Sequence, residues 1–289
     1  MKNKLLLICG LLCAVNVFAA PINIVAAENF YGELAKEIGG KNVAVTSIIS
    51  NPDADPHLFT TSPSTLKAVS AAQIIIYNGA DYDDWMKQIL ANVDKKKTII
   101  INVADLMNVK SGANPHLWYK PETFPMVAKS IASNLNKLDP QDKDVTQQNL
   151  AKFLTDNNKV TQLITVNKQK YQGTPVTATE PVFGYMSDAL GLKMYGQDFQ
   201  WKIMNDSEPT PKMIADYEGL LTNKKVKLLF YNNQVSDSMT KNMQNLAKEN
   251  GIAVVGVTET MPQDISVNQW LTNEINATSQ ALAKVTSKK

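Results

Sequence analysis

Short apolar runs alternate with amphipathic stretches in the first half of the chain. The runs are bounded by turn residues and predict strands at residues 22–26, 43–49, 74–77 and 98–103. Between the first two, residues 31–38 keep their apolar side chains on one helical face, and Gly39-Gly40 ends the pattern. Because strands and helices alternate, the pattern predicts a parallel sheet covered by helices.

Two long helical patterns follow, at residues 121–138 and about 141–171, and the alternation then resumes. The second half has predicted strands at 175–179, 226–231 and 252–257 and predicted helices at 183–190, 210–221, 236–250 and 266–285. We therefore predict an α/β protein of two lobes, each a mostly parallel sheet flanked by helices. The lobes are residues 21–120 and 139–289, and a long rigid connecting helix at 121–138 joins them.

Residues 1–20 have the pattern of a secretory signal. Lys2 and Lys4 precede an apolar core at residues 5–15, and small residues end the segment at Ala19-Ala20. The apolar core is shorter than the ~20 residues that span a bilayer, so we expect a cleaved signal, export and no direct membrane anchor.

Composition narrows the possible ligands. Both cysteines, Cys9 and Cys13, lie within the signal, and neither follows the Gly or Ala of a lipoprotein cleavage site. The mature chain therefore has no disulfide and no cysteinyl metal site. It has no arginine, which argues against a receptor for phosphate, sulfate or carboxylate ligands. Its 27 lysines balance 27 acidic residues, which argues against nucleic acid as a partner.

The only two histidines occur in matching phrases, Asp55-Pro56-His57 and Asn114-Pro115-His116, each after a predicted strand. Proline restricts the backbone and presents each ring from a rigid turn. Two imidazoles in one repeated context indicate a shared role, and binding of a divalent metal is the commonest such role.

Carboxylates follow strands in the second half. Glu180 follows the strand at 175–179 and Glu259 follows the strand at 252–257. Ligands of open parallel sheets bind beyond the carboxyl ends of strands, so four side chains are expected to meet in one cleft. Alternatives stay open: Glu180 as a helix N-terminal acid, Glu259 as a solvated loop acid, and Asp264 in place of Glu259. We interpret Glu28 as a helix-terminal charge.

Several phrases resemble the metal-specific class of periplasmic solute-binding proteins, the receptors of zinc and manganese ABC importers. The matching phrases run from the mature start towards the C-terminus: Asp55-Pro56-His57, Ser62-Pro63-Ser64, Tyr77-Asn78-Gly79, Asn114-Pro115-His116-Leu117-Trp118, Phe183-Gly184-Tyr185 and Glu208-Pro209-Thr210-Pro211.

The resemblance implies a metal buried in the interlobe cleft and a connecting helix that limits hinge closure. His57 and His116 match two histidine ligands of the family, Glu180 matches a position held by histidine or glutamate, and Glu259 lies where the family has a carboxylate, usually aspartate. The resemblance further implies a monomeric periplasmic receptor that is not an enzyme and that delivers its metal to the membrane permease of an ABC importer.

The predicted ligand set departs from that of zinc-specific members, which often have three histidines and a His-rich acidic loop. Two imidazoles and two carboxylates suit manganese or ferrous iron, although zinc generally binds such a set more tightly. The transported ion is therefore expected to be Mn²⁺ or Zn²⁺. Two other functions remain open: a secreted zinc metallohydrolase using His57, His116 and Glu180, and a receptor for a metal chelate or organic solute on the same fold.

Overall fold

The computed structural model describes residues 20–53, 59–235 and 237–286. Apart from Ala20, the expected signal lies outside the described residues, and so does His57. Within the described part, no helix is both long and apolar enough to cross a membrane.

The N-terminal lobe is a four-stranded parallel sheet in the order β2-β1-β3-β4. Its strands are β1 (Ile22–Glu28), β2 (Val43–Ile49), β3 (Ile74–Tyr77) and β4 (Ile99–Asn102). Its helices are α1 (Asn29–Gly39), α2 (Pro63–Ser70), α3 (Trp85–Leu90) and α4 (Val103–Leu106). The predicted strand at 98–103 ends earlier, because the Asn102 side chain accepts the Asp105 N–H and begins α4.

The C-terminal lobe repeats this plan, with a parallel sheet in the order β6-β5-β7-β8. Its strands are β5 (Pro175–Ala178), β6 (Lys193–Tyr195), β7 (Leu228–Asn232) and β8 (Ala253–Val257). Its helices are α7 (Gly184–Ala189), α8 (Gln197–Met204), α9 (Pro211–Thr222), α10 (Ser238–Glu249) and α11 (Val267–Thr286). The predicted fold class is confirmed, although β6, α3, α4 and α8 were not predicted.

Two consecutive helices lie between the sheets, α5 (Thr123–Leu138) and α6 (Lys143–Tyr171). The connecting segment expected at 121–138 is helical as α5, which packs against α1. Helix α6, which the sequence placed in the second lobe, contacts α1 and α5 as well as α11. Helix α6, which is 29 residues long, therefore packs against both lobes. These contacts hold the lobes together in addition to the covalent connection between them.

Aromatic side chains form a continuous layer across the lobes. Phe30 of α1 packs against Trp118 and Trp270, with ring centroids 4.9 and 5.6 Å away. Tyr119 contacts Trp270 at 5.5 Å and Phe183 at 4.9 Å. All five side chains are essentially inaccessible to solvent. Burial on this scale favours lobes that stay packed together and move little relative to each other.

Candidate metal centre

His116 is fully buried just before a 3-10 turn, Leu117–Tyr119, at the boundary between the lobes. Its Nδ1 lies 2.6 Å from Asn114 Oδ1, and that oxygen also accepts the His116 backbone N–H at 3.1 Å. Its Nε2 is buried and makes no hydrogen bond within the described residues. A buried ring nitrogen of this kind fits a metal-binding atom.

Asn114 fixes which nitrogen of His116 carries the proton. Asn114 Nδ2 donates to the Pro181 carbonyl oxygen at 2.8 Å, so Oδ1 must be the atom that faces the imidazole. Since Oδ1 only accepts, Nδ1 carries the proton, and the Nε2 lone pair is left for a metal ion. The Tyr185 hydroxyl donates to the Asn114 carbonyl oxygen at 2.8 Å, a second contact between this loop and the C-terminal lobe.

Glu259 lies two residues beyond β8 and is fully buried. Its Oε1 is 3.6 Å from His116 Nε2, across the boundary between the lobes. The Tyr82 hydroxyl donates to its Oε2 at 3.0 Å. Burial and the Glu259 carboxylate hold the pKa of Tyr82 well above its usual value, so the phenol remains a donor. The alternative of a solvated loop acid at Glu259 is wrong.

Glu180 follows β5 and is also buried. It precedes a 3-10 turn, Pro181–Phe183, but its side chain caps no backbone N–H there, which weighs against the alternative of a helix-terminal acid. Asn232, the last residue of β7, donates from Nδ2 to Glu180 Oε2 at 3.2 Å and to Glu259 Oε1 at 2.7 Å. One amide thus holds the two buried carboxylates beside each other.

Of the four predicted ligands, His116 and Glu259 lie 3.6 Å apart, and Asn232 links Glu259 to Glu180. The fourth, His57, lies outside the described residues. Considering only residues 20–53, 59–235 and 237–286, no three His, Cys, Asp or Glu side chains are grouped closely enough to hold a metal. A complete site therefore needs a further donor, and His57 remains the predicted one. Asp264, the competitor of Glu259, is exposed to solvent.

Glu28 and Asp83 form a second buried acidic pair, which the sequence did not predict. Burial, then the Asp83 carboxyl, holds the pKa of Glu28 well above its usual value. Burial raises the pKa of Asp83 to about 6, opposed by its hydrogen bonds from the Gly79 and Asn78 N–H groups at 2.8 and 2.7 Å. Glu28 is the N-cap residue of α1, as the sequence predicts, but its side chain caps no backbone N–H and its raised pKa favours the protonated carboxyl.

Glu274 of α11 predicts a pH dependence of stability. Burial raises its folded-state pKa from 4.5 to about 7, so between these values the native state binds more protons than the unfolded chain. The contribution of Glu274 to the unfolding free energy is fully present below about pH 4.5 and is lost as the pH rises through about 7. We expect the metal-free protein to lose up to about 3 kcal/mol of unfolding free energy from this group between pH 4.5 and 8.

Urea unfolding of metal-free wild type and Glu274→Gln at pH 5 and pH 8 measures this effect. The uncharged variant should show a smaller decrease in unfolding free energy between the two pH values. Glu28 and Asp83 also have raised pKa values and lower the unfolding free energy as the pH rises. They contribute equally to wild type and variant, so the difference between the two proteins isolates Glu274. An equal decrease in the two proteins would contradict the prediction.

Three side chains around the candidate ligands carry a weak sequence signal or none. No spacing marks Tyr82 as a neighbour of Glu259, because 177 residues separate them. Asn114 has only its place in the Asn-Pro-His phrase. Asn232 ends a strand, where the sequence is equally compatible with a turn role and with a ligand-orienting role, and its contact with both carboxylates favours the second.

Residues 24–283 match the family described as Zinc-uptake complex component A, periplasmic, or ZnuA. The chain belongs to the ZnuA family. The match extends through both lobes and includes every candidate ligand, so the resemblance inferred from short phrases is confirmed at the level of the family.

Relatives and solved structures agree with this family assignment. The metal ABC transporter substrate-binding lipoprotein SloC of Streptococcus mutans is 27% identical over 283 residues, covering 88% of each chain. The manganese ABC transporter substrate-binding lipoprotein PsaA of Streptococcus mitis is 26% identical over 76% of this chain and 75% of its own length. The periplasmic zinc-binding protein TroA of Treponema pallidum shares the fold, with a TM-score of 0.77, 17% identity and coverage of 91% and 99%.

Proposed function

We propose that this chain is a periplasmic receptor that binds one divalent transition-metal ion, Mn²⁺ or Zn²⁺, between its lobes and delivers it to the permease of an ABC importer. The observation that carries the proposal is the buried pair of His116 Nε2 and Glu259 Oε1, 3.6 Å apart at the lobe boundary. The Nε2 lone pair is available for a metal, and Glu180 is held beside this pair through Asn232.

The donor set suits a metal dication. Two carboxylates and neutral imidazoles would together give a bound M²⁺ a net charge close to zero, which offsets much of the cost of burying charge. We assign His116, Glu180 and Glu259 as ligands and propose His57 as the fourth. The relatives' names, which specify manganese or metal transport, support the same class of ligand.

The burial of these groups disfavours the other functions. A metallohydrolase must admit a substrate and a reactive water to its metal, whereas His116 and Glu259 have no exposed surface. A receptor for a chelate or organic solute needs a roomier cleft. A cavity of about 690 Å³ lies elsewhere, lined by α1, β2 and residues 261–266.

Metal titration of the mature protein tests the proposal. After demetallation, we expect it to bind one Mn²⁺ or one Zn²⁺ per chain, with Zn²⁺ displacing Mn²⁺ in competition. At a free metal concentration 100 times the Kd, binding should add about 2.7 kcal/mol to the unfolding free energy and raise the Tm. Metal analysis of protein recovered from the periplasm identifies the ion carried in the cell. Absence of binding by either ion would contradict the proposal.

A further inference from the structure

Gln234 contacts both lobes with one side-chain amide. It lies two residues after β7, and its Nε2 donates to the Pro52 carbonyl oxygen of the N-terminal lobe at 2.8 Å. The same Nε2 is 3.0 Å from Thr260 Oγ1, and the Thr260 hydroxyl donates to the same Pro52 oxygen at 2.5 Å. The Oε1 atom of Gln234 accepts the backbone N–H of Glu259 at 3.0 Å. The Gln234 side chain therefore links Pro52 of the N-terminal lobe to the backbone of Glu259 in the C-terminal lobe.

The orientation of this amide is determined by its partners. The Glu259 N–H can only donate and the Pro52 carbonyl can only accept, so a flipped amide would place two donors and two acceptors face to face. The Gln234 backbone is fixed as well, because its N–H donates to Asn232 Oδ1 at 3.0 Å. Asn232 in turn donates to the carboxylates of Glu180 and Glu259. Side chain and backbone of Gln234 thus support the same acidic pair.

We propose that Gln234 is a positioning residue for the metal site: it holds the backbone of Glu259 so that the carboxylate faces His116 while the lobes are together. This inference rests on the function proposed above. The Glu259 nitrogen is bonded to its Cα, so holding the N–H restrains the backbone from which the side chain projects. Outer-shell residues that orient a ligand typically contribute ~10–100-fold to metal affinity.

Asn29 provides a matched control. It also joins the lobes. Asn29 Nδ2 donates to the Met261 carbonyl oxygen at 2.7 Å, and Asn29 Oδ1 accepts the Met261 N–H at 3.0 Å. These two bonds attach to the same loop as Glu259 but to a different residue. Asn29→Ala therefore weakens the attachment between lobes without removing the bond that orients Glu259.

The experiment compares mature wild type, Gln234→Leu, Gln234→Glu and Asn29→Ala, with Mn²⁺ for affinity and Co²⁺ for its visible ligand-field spectrum. Gln234→Leu should lower Mn²⁺ affinity ~10–100-fold and change the Co²⁺ spectrum, because the Glu259 oxygen is no longer held in place. Gln234→Glu keeps an acceptor for the Glu259 N–H but loses the donor to Pro52, so its spectrum should stay closer to wild type than that of Gln234→Leu. Asn29→Ala should leave the spectrum unchanged and lower affinity less than Gln234→Leu.

A wild-type spectrum in Gln234→Leu, or the same spectral change in Asn29→Ala, would overturn the assignment to Gln234. If Gln234→Leu does not fold by circular dichroism, Gln234→Met, closer in length and flexibility, replaces it with the same expected result. Failure of wild type itself to bind any of Mn²⁺, Zn²⁺ and Co²⁺ would instead contradict the proposed function, so the two failures are distinguishable.

Discussion

Replacement of His116 by glutamine is expected to lower Mn²⁺ and Zn²⁺ affinity by more than the ~100-fold upper range of outer-shell substitutions. Glutamine keeps a polar side chain of similar length, and its neutral amide is a far weaker donor to these ions than imidazole. The metal-free variant should remain folded, because the lobes are held by their own cores and by the aromatic layer around Trp118. Isothermal titration with each ion measures the loss, and urea unfolding of the metal-free protein serves as the folding control.

The equivalent His57→Gln variant extends this result to the other imidazole. An equal loss in the two variants would support a site containing both rings. Wild-type affinity in the His116 variant would remove that residue from the site and leave its buried Nε2 unexplained. Wild-type affinity in the His57 variant would require another donor for the complete site.

The fold was predictable because strands and helices differ in the period of their apolar residues. Parallel strands buried on both faces appear as short apolar runs, and the helical pattern predicted at residues 31–38 corresponds to α1 (Asn29–Gly39). The short elements were missed for a physical reason. Strand β6 has three residues and α3 has six, too few for either period to repeat. The packing of α6 against both lobes depends on tertiary contacts that periodicity does not encode.

The candidate ligands were predictable to the extent that they follow strands. Glu180 and Glu259 each lie two residues beyond a parallel strand, whereas α4 and a loop separate His116 from β4. The surrounding residues were not predictable in the same way. Tyr82 reaches Glu259 from a loop of the other lobe, and Gln234 reaches Pro52 across 182 residues of sequence. Such contacts arise from how the two lobes pack, which no local pattern records.

The choice between Glu259 and Asp264 gives the second large expected effect. Glu259→Gln should lower Mn²⁺ affinity by at least ~100-fold, because it removes a charged oxygen that lies 3.6 Å from His116 Nε2. Asp264→Asn removes the same charge from the same loop but should change affinity about twofold or less, as exposed substitutions generally alter free energies by ~0.5 kcal/mol. Both variants replace a carboxylate by the corresponding amide, and Glu259 and Asp264 lie two and seven residues beyond β8.

The backbone explains why only one of these acids can reach the cleft. Glu259 lies two residues beyond β8 and is held by Gln234 and Tyr82. Beyond Pro262 the chain turns outward, and Asp264 adopts a left-handed conformation with φ of 60° beside a surface cavity. Titration of the two variants with Mn²⁺, each checked for metal-free stability, decides the assignment. A larger loss in Asp264→Asn would mean that this loop rearranges around the metal, and no loss in either would place the closing ligand outside residues 259–264.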